Sequence, residues 1–296
     1  MSPLWNRGPR LSWDSDGHDW PGHESSRFVR AGGMRWHVQI SGSGPTAFLV
    51  HGTGAATHTW RGLAPLLAKR YRVVACDLPG HGFTDPLPRG RVSLPRMAAA
   101  VGWLLVALDA SPDLAIGHSA GAAVLARLCL GREIQPRALI SLNGALLRLA
   151  WMPMELFTPL ARLFAANPLV PRLVAWRAAN RAAVVRLVAS TGSRLEPRGV
   201  ELYARLVRNA AHVGAALDMM AGWDLAPLER DLPTLRTPLS LIVGSGDKAV
   251  PVDEARRVCE RVPGATLRIL PGLGHLAHEE DPRAVARAIG EAVAAL

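Results

Sequence analysis

Gly117-His118-Ser119-Ala120-Gly121 constrains this chain more than any other stretch, because it lies between a strand-like run, Leu114 to Gly117, and a helical one, Ala122 to Leu130. A serine hydroxyl is a poor nucleophile near neutral pH, and it becomes useful only when a tight turn holds it where a base can take its proton. Glycines on both sides of Ser119 permit such a turn, since a side chain at either place would crowd the adjoining strand or helix.

The rest of the chain repeats this strand-to-helix order. Arg27 to Arg30 and Arg35 to Ile40 read as a hairpin pair around Ala31-Gly32-Gly33, followed by a buried strand at Ala47 to Val50. A helical pattern from His58 to Lys69 leads to a β-rich run, Tyr71 to Cys76, and a helix from Ser93 to Leu108 precedes the Ser119 unit. After a strand at Ala138 to Leu142 the alternation stops. From about residue 146 to 222 every apolar stripe is helical and several are broken by proline; strands resume at Leu239 to Val243 and Thr266 to Leu270, with helices at Asp253 to Arg261 and from Pro282 onward. The pattern predicts an α/β fold with a mostly parallel eight-stranded sheet, helices on both faces and an inserted helical cap. The expected divisions are an N-terminal extension over 1–25, a core over 26–145 and 223–296, and a cap over 146–222.

Composition narrows the function classes. The chain of 296 residues is 49% apolar with 28 Gly and 23 Pro, which describes a packed, loop-punctuated globular protein. The longest apolar run, Met97 to Leu108, is shorter than the roughly 18 residues a membrane span needs. The first residues lack the basic-then-apolar order of a signal peptide, so a cytoplasmic location is expected. The formal charge of +10 comes almost wholly from dispersed arginines, Lys69 and Lys248 being the lysines, and no basic arm lies beside stacking aromatics. Nucleic acid is therefore not an expected partner. Cys76, Cys129 and Cys259 show no paired or metal-ligand spacing and read as reduced thiols.

Two further loops complete a chemical constellation. Gly244-Ser245-Gly246-Asp247 follows the strand Leu239 to Val243, which puts Asp247 at the carboxyl end of the sheet, and Gly272-Leu273-Gly274-His275 follows the last strand. The order serine, acid, histidine suits Ser119 as nucleophile, His275 as its base and Asp247 as the group that orients the imidazole. Attack on a carbonyl also needs backbone N–H groups aimed at the developing oxyanion. Thr53, in His51-Gly52-Thr53-Gly54, and Ala120, at the start of the nucleophile helix, are the candidate donors. His278 competes with His275 as base but lacks the glycine-flanked loop; His51, His81 and His118 are read as packing or hydrogen-bonded histidines. Asp77 is expected to brace the Pro79-Gly80-His81-Gly82 turn, Asn143 is an amide and cannot supply the acid, and His278-Glu279-Glu280-Asp281 is read as the start of the final helix. No spacing points to a metal or other cofactor, and no P-loop is present.

Together H-G-T-G, D-L-P-G-H-G, G-H-S-A-G, G-S-G-D and G-L-G-H resemble the α/β-hydrolase superfamily with an inserted cap, over about residues 26 to 296. Asp19-Trp20-Pro21, Arg35 to Gln39, His51 to His58 and Asn167 to Pro171 also resemble the magnesium-chelatase accessory proteins of bacteriochlorophyll biosynthesis. That resemblance implies a place in tetrapyrrole metabolism near magnesium insertion, with chelatase subunits as partners. It implies an ester of a porphyrin or chlorin as the small-molecule substrate, admitted beneath the cap. Leu156, Phe157, Leu160, Leu163, Phe164, Leu169, Leu173 and Trp176 could face a flat ligand, and Arg162, Arg172, Arg177, Arg181 and Arg186 could meet its propionates; ordinary helix packing or peripheral membrane contact would use the same stripe. The alternatives are a non-catalytic porphyrin-binding or chelatase-stabilising protein and a general carboxylesterase.

Overall fold

A computed structural model describes residues 9–88, 90–148, 167, 169–177 and 180–296. Its strands are β1 (Ser26–Ala31), β2 (Met34–Ser41), β3 (Thr46–Val50), β4 (Arg72–Cys76), β5 (Leu114–His118), β6 (Ala138–Leu142), β7 (Leu239–Gly244) and β8 (Thr266–Leu270). They form one eight-stranded sheet in the order β1-β2-β4-β3-β5-β6-β7-β8, antiparallel through β1, β2 and β4 and parallel from β4 to β8. The helices are α1 (Trp13–Asp16), α2 (Ala64–Leu67), α3 (Leu94–Ala107), α4 (Ala120–Leu130), α5 (Leu169–Arg177), α6 (Arg181–Ser190), α7 (Pro197–Val207), α8 (Ala210–Ala221), α9 (Ala226–Asp231), α10 (Val252–Arg261), α11 (Ala277–Glu280) and α12 (Pro282–Ala294).

Strand alternation builds the core on both faces of the sheet. Phe48, Val50, Val74, Ala115, Leu139, Leu241 and Val243 pack with α3, α4 and α10 on one side. Their neighbours Leu49, Val73, Ala75, Ile116, Ile140 and Ile242 pack with α2 and α12 on the other. Because both faces are covered, the central strands read in sequence as mainly apolar runs, with Ser141 in β6 and Ser240 in β7 among them.

The expected helix over His58 to Lys69 is instead a 3-10 turn, Thr57–Trp60, and the short α2. Gly62 and Pro65 explain the interruption: Pro282 packs against Gly62, and Pro65 occupies the first turn of α2. Residues before β1 also reach the interior. Trp20 is buried and its indole N–H donates to Thr57 Oγ1 at 3.1 Å, while Asp19 pairs with Arg198 and Arg205 on α7. No helix of the described residues is long and apolar enough to cross a membrane.

The chain crosses from β4 to β5 past β3, so the topological switch lies between β3 and β5. Register then aligns the carboxyl ends: Val50 faces Gly117, His118 faces Leu142, and Leu142 faces Ile242. The loops bearing Thr53, Ser119, Asn143 and Asp247 therefore leave the sheet along one edge.

Two predictions follow from this packing. A Cβ on Gly121 would fall inside the van der Waals radius of the Val50 carbonyl oxygen, a backbone atom that cannot rotate away. Gly121→Ala is expected to cost about 2–4 kcal/mol, measured by denaturant unfolding; wild-type stability would contradict the close approach. Secondly, burial drives His58, His81 and His118 well below the usual imidazole value, and His212 and His278 to about 4 and about 3. These native values are depressed, so the unfolded chain binds more protons below about pH 6.5. The stability of neutral burial is present above that pH and is lost as pH falls toward the native values, by about 1.4 kcal/mol per pH unit for each histidine in its window. The thermal midpoint should drop by about 5 °C or more between pH 7 and pH 5.5; a flat profile would contradict the neutral burial.

Candidate active site

Ser119 occupies the turn between β5 and α4 with φ 51° and ψ −119°, a left-handed conformation costly for a residue with a side chain. The surroundings leave it no alternative. A Cβ on Gly117 would collide with the backbone of Ala122, and one on Gly52 would approach the Ser119 Cβ to 2.9 Å. The Ser119 amide donates to Leu142 O at 3.0 Å, and its carbonyl accepts from Ala122 N and Ala145 N. These bonds tie the turn to the end of β6.

Asp247 and His275 come together at the same edge. His275 Nδ1 donates to Asp247 Oδ2 at 2.8 Å, with the carboxylate fully buried and the imidazole nearly so. Asp247 Oδ1 accepts from the amides of Ala249 and Val250, and Oδ2 accepts in addition from the Asn143 side chain at 2.8 Å. With Nδ1 engaged, the His275 Nε2 is the nitrogen left for a substrate-side proton. His118, which precedes Ser119, donates through Nε2 to the His275 carbonyl at 3.0 Å, and the two rings lie 4.8 Å apart. The histidine loop thus sits directly beside the serine turn.

The candidate oxyanion donors flank that turn. Thr53 is on the loop after β3, and the Ala120 amide opens α4, where unsatisfied N–H groups and the helix dipole favour negative charge. Among the described residues neither amide donates to another backbone carbonyl. His51 fixes the loop locally, giving Nδ1–H to Gly52 O at 2.7 Å and accepting from Leu78 N through Nε2 at 2.9 Å.

The remaining polar residues are accounted for elsewhere. Asp77 accepts from Thr57 N, Phe83 N and His37, bracing the turn as expected; desolvation opposes its charge, but His37 and these donors hold the carboxyl well below the usual range. His278 Nε2 bonds to Thr59 Oγ1 at 2.7 Å, not to Asp247. Glu279 lies in the short helix α11 and not at the start of the final helix, α12. It is buried and accepts from Thr59, Tyr203 and Arg61, and desolvation raises its pKa despite those partners. The carboxylate that does cap α12 is Asp281, which accepts from Ala284 N.

Four contributors were not expected from the sequence. Asn143, set aside there as a residue that cannot be the acid, is the amide that holds it. Thr191, between α6 and α7, accepts through its carbonyl from both Lys248 N and His275 N, and Ser193 Oγ accepts from Leu276 N at 2.8 Å. His212, in α8, reaches the Gly54 carbonyl. None has a local signal, because each contact is made between segments remote in the chain. Leu169, Leu173 and Trp176 on α5 are 63%, 57% and 71% exposed, so ordinary core packing does not explain them. Arg172 and Arg177 on the same helix, and Arg181 and Arg186 on α6, are exposed. Leu156, Phe157, Leu160, Arg162, Leu163 and Phe164 lie outside the described residues.

Comparison with known proteins agrees with this architecture. The model of the alpha/beta hydrolase family matches residues 47–288. Over 263 residues, 88% of this chain and 92% of the relative, the sequence is 38% identical to a Rhodobacter capsulatus protein named magnesium-chelatase 30 kDa subunit. It is 26% identical to the 2-hydroxy-6-oxo-2,4-heptadienoate hydrolase of Pseudomonas putida over 92% of this chain and 97% of that one. A crystal structure of an alpha/beta hydrolase fold protein from Burkholderia ambifaria superposes with a TM-score of 0.76 at 25% identity, covering 90% of this chain and 97% of that chain. The chain belongs to the alpha/beta hydrolase family and, within it, is similar to the magnesium-chelatase 30 kDa subunit.

Proposed function

We propose that the protein is a serine hydrolase acting on an ester or related carbonyl compound, and that the substrate is a porphyrin or chlorin ester. The observation that carries the chemistry is the 2.8 Å bond from His275 to a buried Asp247 whose other lone pairs are already met. An imidazole oriented in this way can take the Ser119 proton on Nε2 as Oγ bonds to the carbonyl carbon. The Thr53 and Ala120 amides would receive the oxyanion. When the tetrahedral adduct collapses, the ester C–O bond breaks and the imidazolium gives its proton to the departing alkoxide. Water then attacks the acyl-serine with His275 again as base, releasing the acid and restoring Ser119. No step requires a cofactor.

The substrate class rests on similarity to a protein named for magnesium chelatase, which also supports chelatase subunits as partners; we place the action of this chain in the cytoplasm. In this reading residues 146–222 form the cap over a core of 26–145 and 223–296, with 1–25 as an extension. The exposed Leu169, Leu173 and Trp176 among arginines are compatible with peripheral contact with an anionic membrane. The same similarity favours a second reading, in which the fold binds a porphyrin or stabilises the chelatase without turnover. A general carboxylesterase would share the chemistry but not the ligand.

One experiment separates these readings: covalent labelling by a fluorophosphonate, with and without a porphyrin methyl ester and its magnesium complex as protectants. Wild-type protein should be labelled, Ser119→Ala should not, and micromolar porphyrin ester should slow labelling. Absence of labelling in the wild type would refute the hydrolase reading; labelling indifferent to porphyrin would leave an esterase of another substrate class.

A further inference from the structure

The loop that offers the Thr53 amide is held from outside the sheet. His212, in the first turn of α8, is buried between two glycine-bearing loops; its Nδ1 lies 3.1 Å from Gly82 N and its Nε2 lies 3.1 Å from Gly54 O. A backbone N–H can only donate, so Nδ1 is the bare nitrogen and Nε2 carries the proton given to Gly54. One tautomer of the neutral ring satisfies both contacts, and burial favours the neutral ring, with the pKa lowered to about 4.

The geometry of the loop gives this contact its consequence. The Gly52 carbonyl and the Thr53 N–H belong to one planar trans peptide and point in opposite directions, so the bond from His51 to Gly52 O also sets where the Thr53 N–H aims. His212 fixes the carbonyl two residues further on, at Gly54, whose φ of +77° marks the turn. The same helix meets Thr53 itself, since the threonine hydroxyl donates to Met219 Sδ at 3.5 Å. Every one of these contacts beyond His51 comes from α8, a helix of the segment between β6 and β7.

We propose that His212 is a positioning residue that ties α8 to the Gly52–Gly54 loop, so that the Thr53 amide is aimed at the oxyanion only while α8 is docked. The inference deepens the serine-hydrolase reading and rests on it. In this view the segment between β6 and β7 does more than cover a site; it completes one of its donors.

The test compares His212→Phe, which fills the space without polar atoms, with His212→Gln, whose amide offers one acceptor and one donor as the neutral imidazole does. Turnover of p-nitrophenyl butyrate, fluorophosphonate labelling and hydrogen exchange over residues 52–56 are measured for each. His212→Phe should lower kcat and the labelling rate about 10- to 100-fold, with KM within about threefold of wild type. Exchange over 52–56 should quicken in the same variant, and His212→Gln should recover most of both losses. If the phenylalanine variant fails to fold, His212→Asn, whose amide is too short to span both loops, takes its place with the same expectations. Wild-type kcat and labelling in the apolar variant would overturn the proposal, as would a rise in KM alone or equal impairment of the apolar and glutamine variants. If wild-type protein is neither labelled nor active, the hydrolase reading has failed; unchanged exchange over 52–56 would then overturn the loop clamp separately, and accelerated exchange would uphold it.

Discussion

A carboxylate without exposed surface must have its lone pairs met by donors, and the arrangement of Asp247 governs everything around it. Two donors are amides of its own loop, one is the Asn143 side chain at the end of β6, and one is the His275 imidazole at the end of β8. That set links the last three parallel strands at their carboxyl ends. It also fixes Nδ1 as the imidazole nitrogen that faces Asp247 and leaves Nε2 out of that bond. Were β6, β7 or β8 shifted in register by one residue, a donor would point to the wrong face and the buried carboxylate would be left short. Sheet register and site geometry are thus one constraint seen at two scales.

Much of the fold was legible because its rules are local. Central strands covered on both faces are mainly apolar runs, and Leu239 to Val243 or Ala138 to Leu142 can be read without knowing what packs on them. The loops that follow them carry Ser119, Asp247 and His275 at the sheet edge, positions that strand ends and glycines mark in the sequence. Where the reading failed, a distant partner decided. The interrupted helix after Thr57 answers to Pro282 against Gly62. Glu279 read as part of the start of the final helix, yet it lies in the separate short helix α11, where its buried carboxylate meets Arg61, 218 positions away.

The auxiliary residues of the site were illegible for the same reason. Asn143 lies 104 positions from Asp247, and His212 lies 158 from Gly54; no periodicity encodes either pairing. Both are polar residues whose burial is made tolerable by partners that only the fold supplies. Thr191 adds a backbone carbonyl shared by the acid loop and the histidine loop, so the segment between β6 and β7 contacts all of the loops on which the chemistry would depend. His212 is a tie of that kind, its two ring nitrogens meeting the Gly82 amide and the Gly54 carbonyl.

The central claim is that Asp247, His275 and Ser119 act as one unit. It is tested most directly by low-field proton NMR of the His275 Nδ1–H, assigned by its loss in His275→Gln. The account predicts a strongly deshielded resonance that vanishes in Asp247→Ala and shifts when Ser119 is phosphonylated. A resonance indifferent to the state of Ser119 would contradict it, by showing the serine to be out of reach of the imidazole that Asp247 holds.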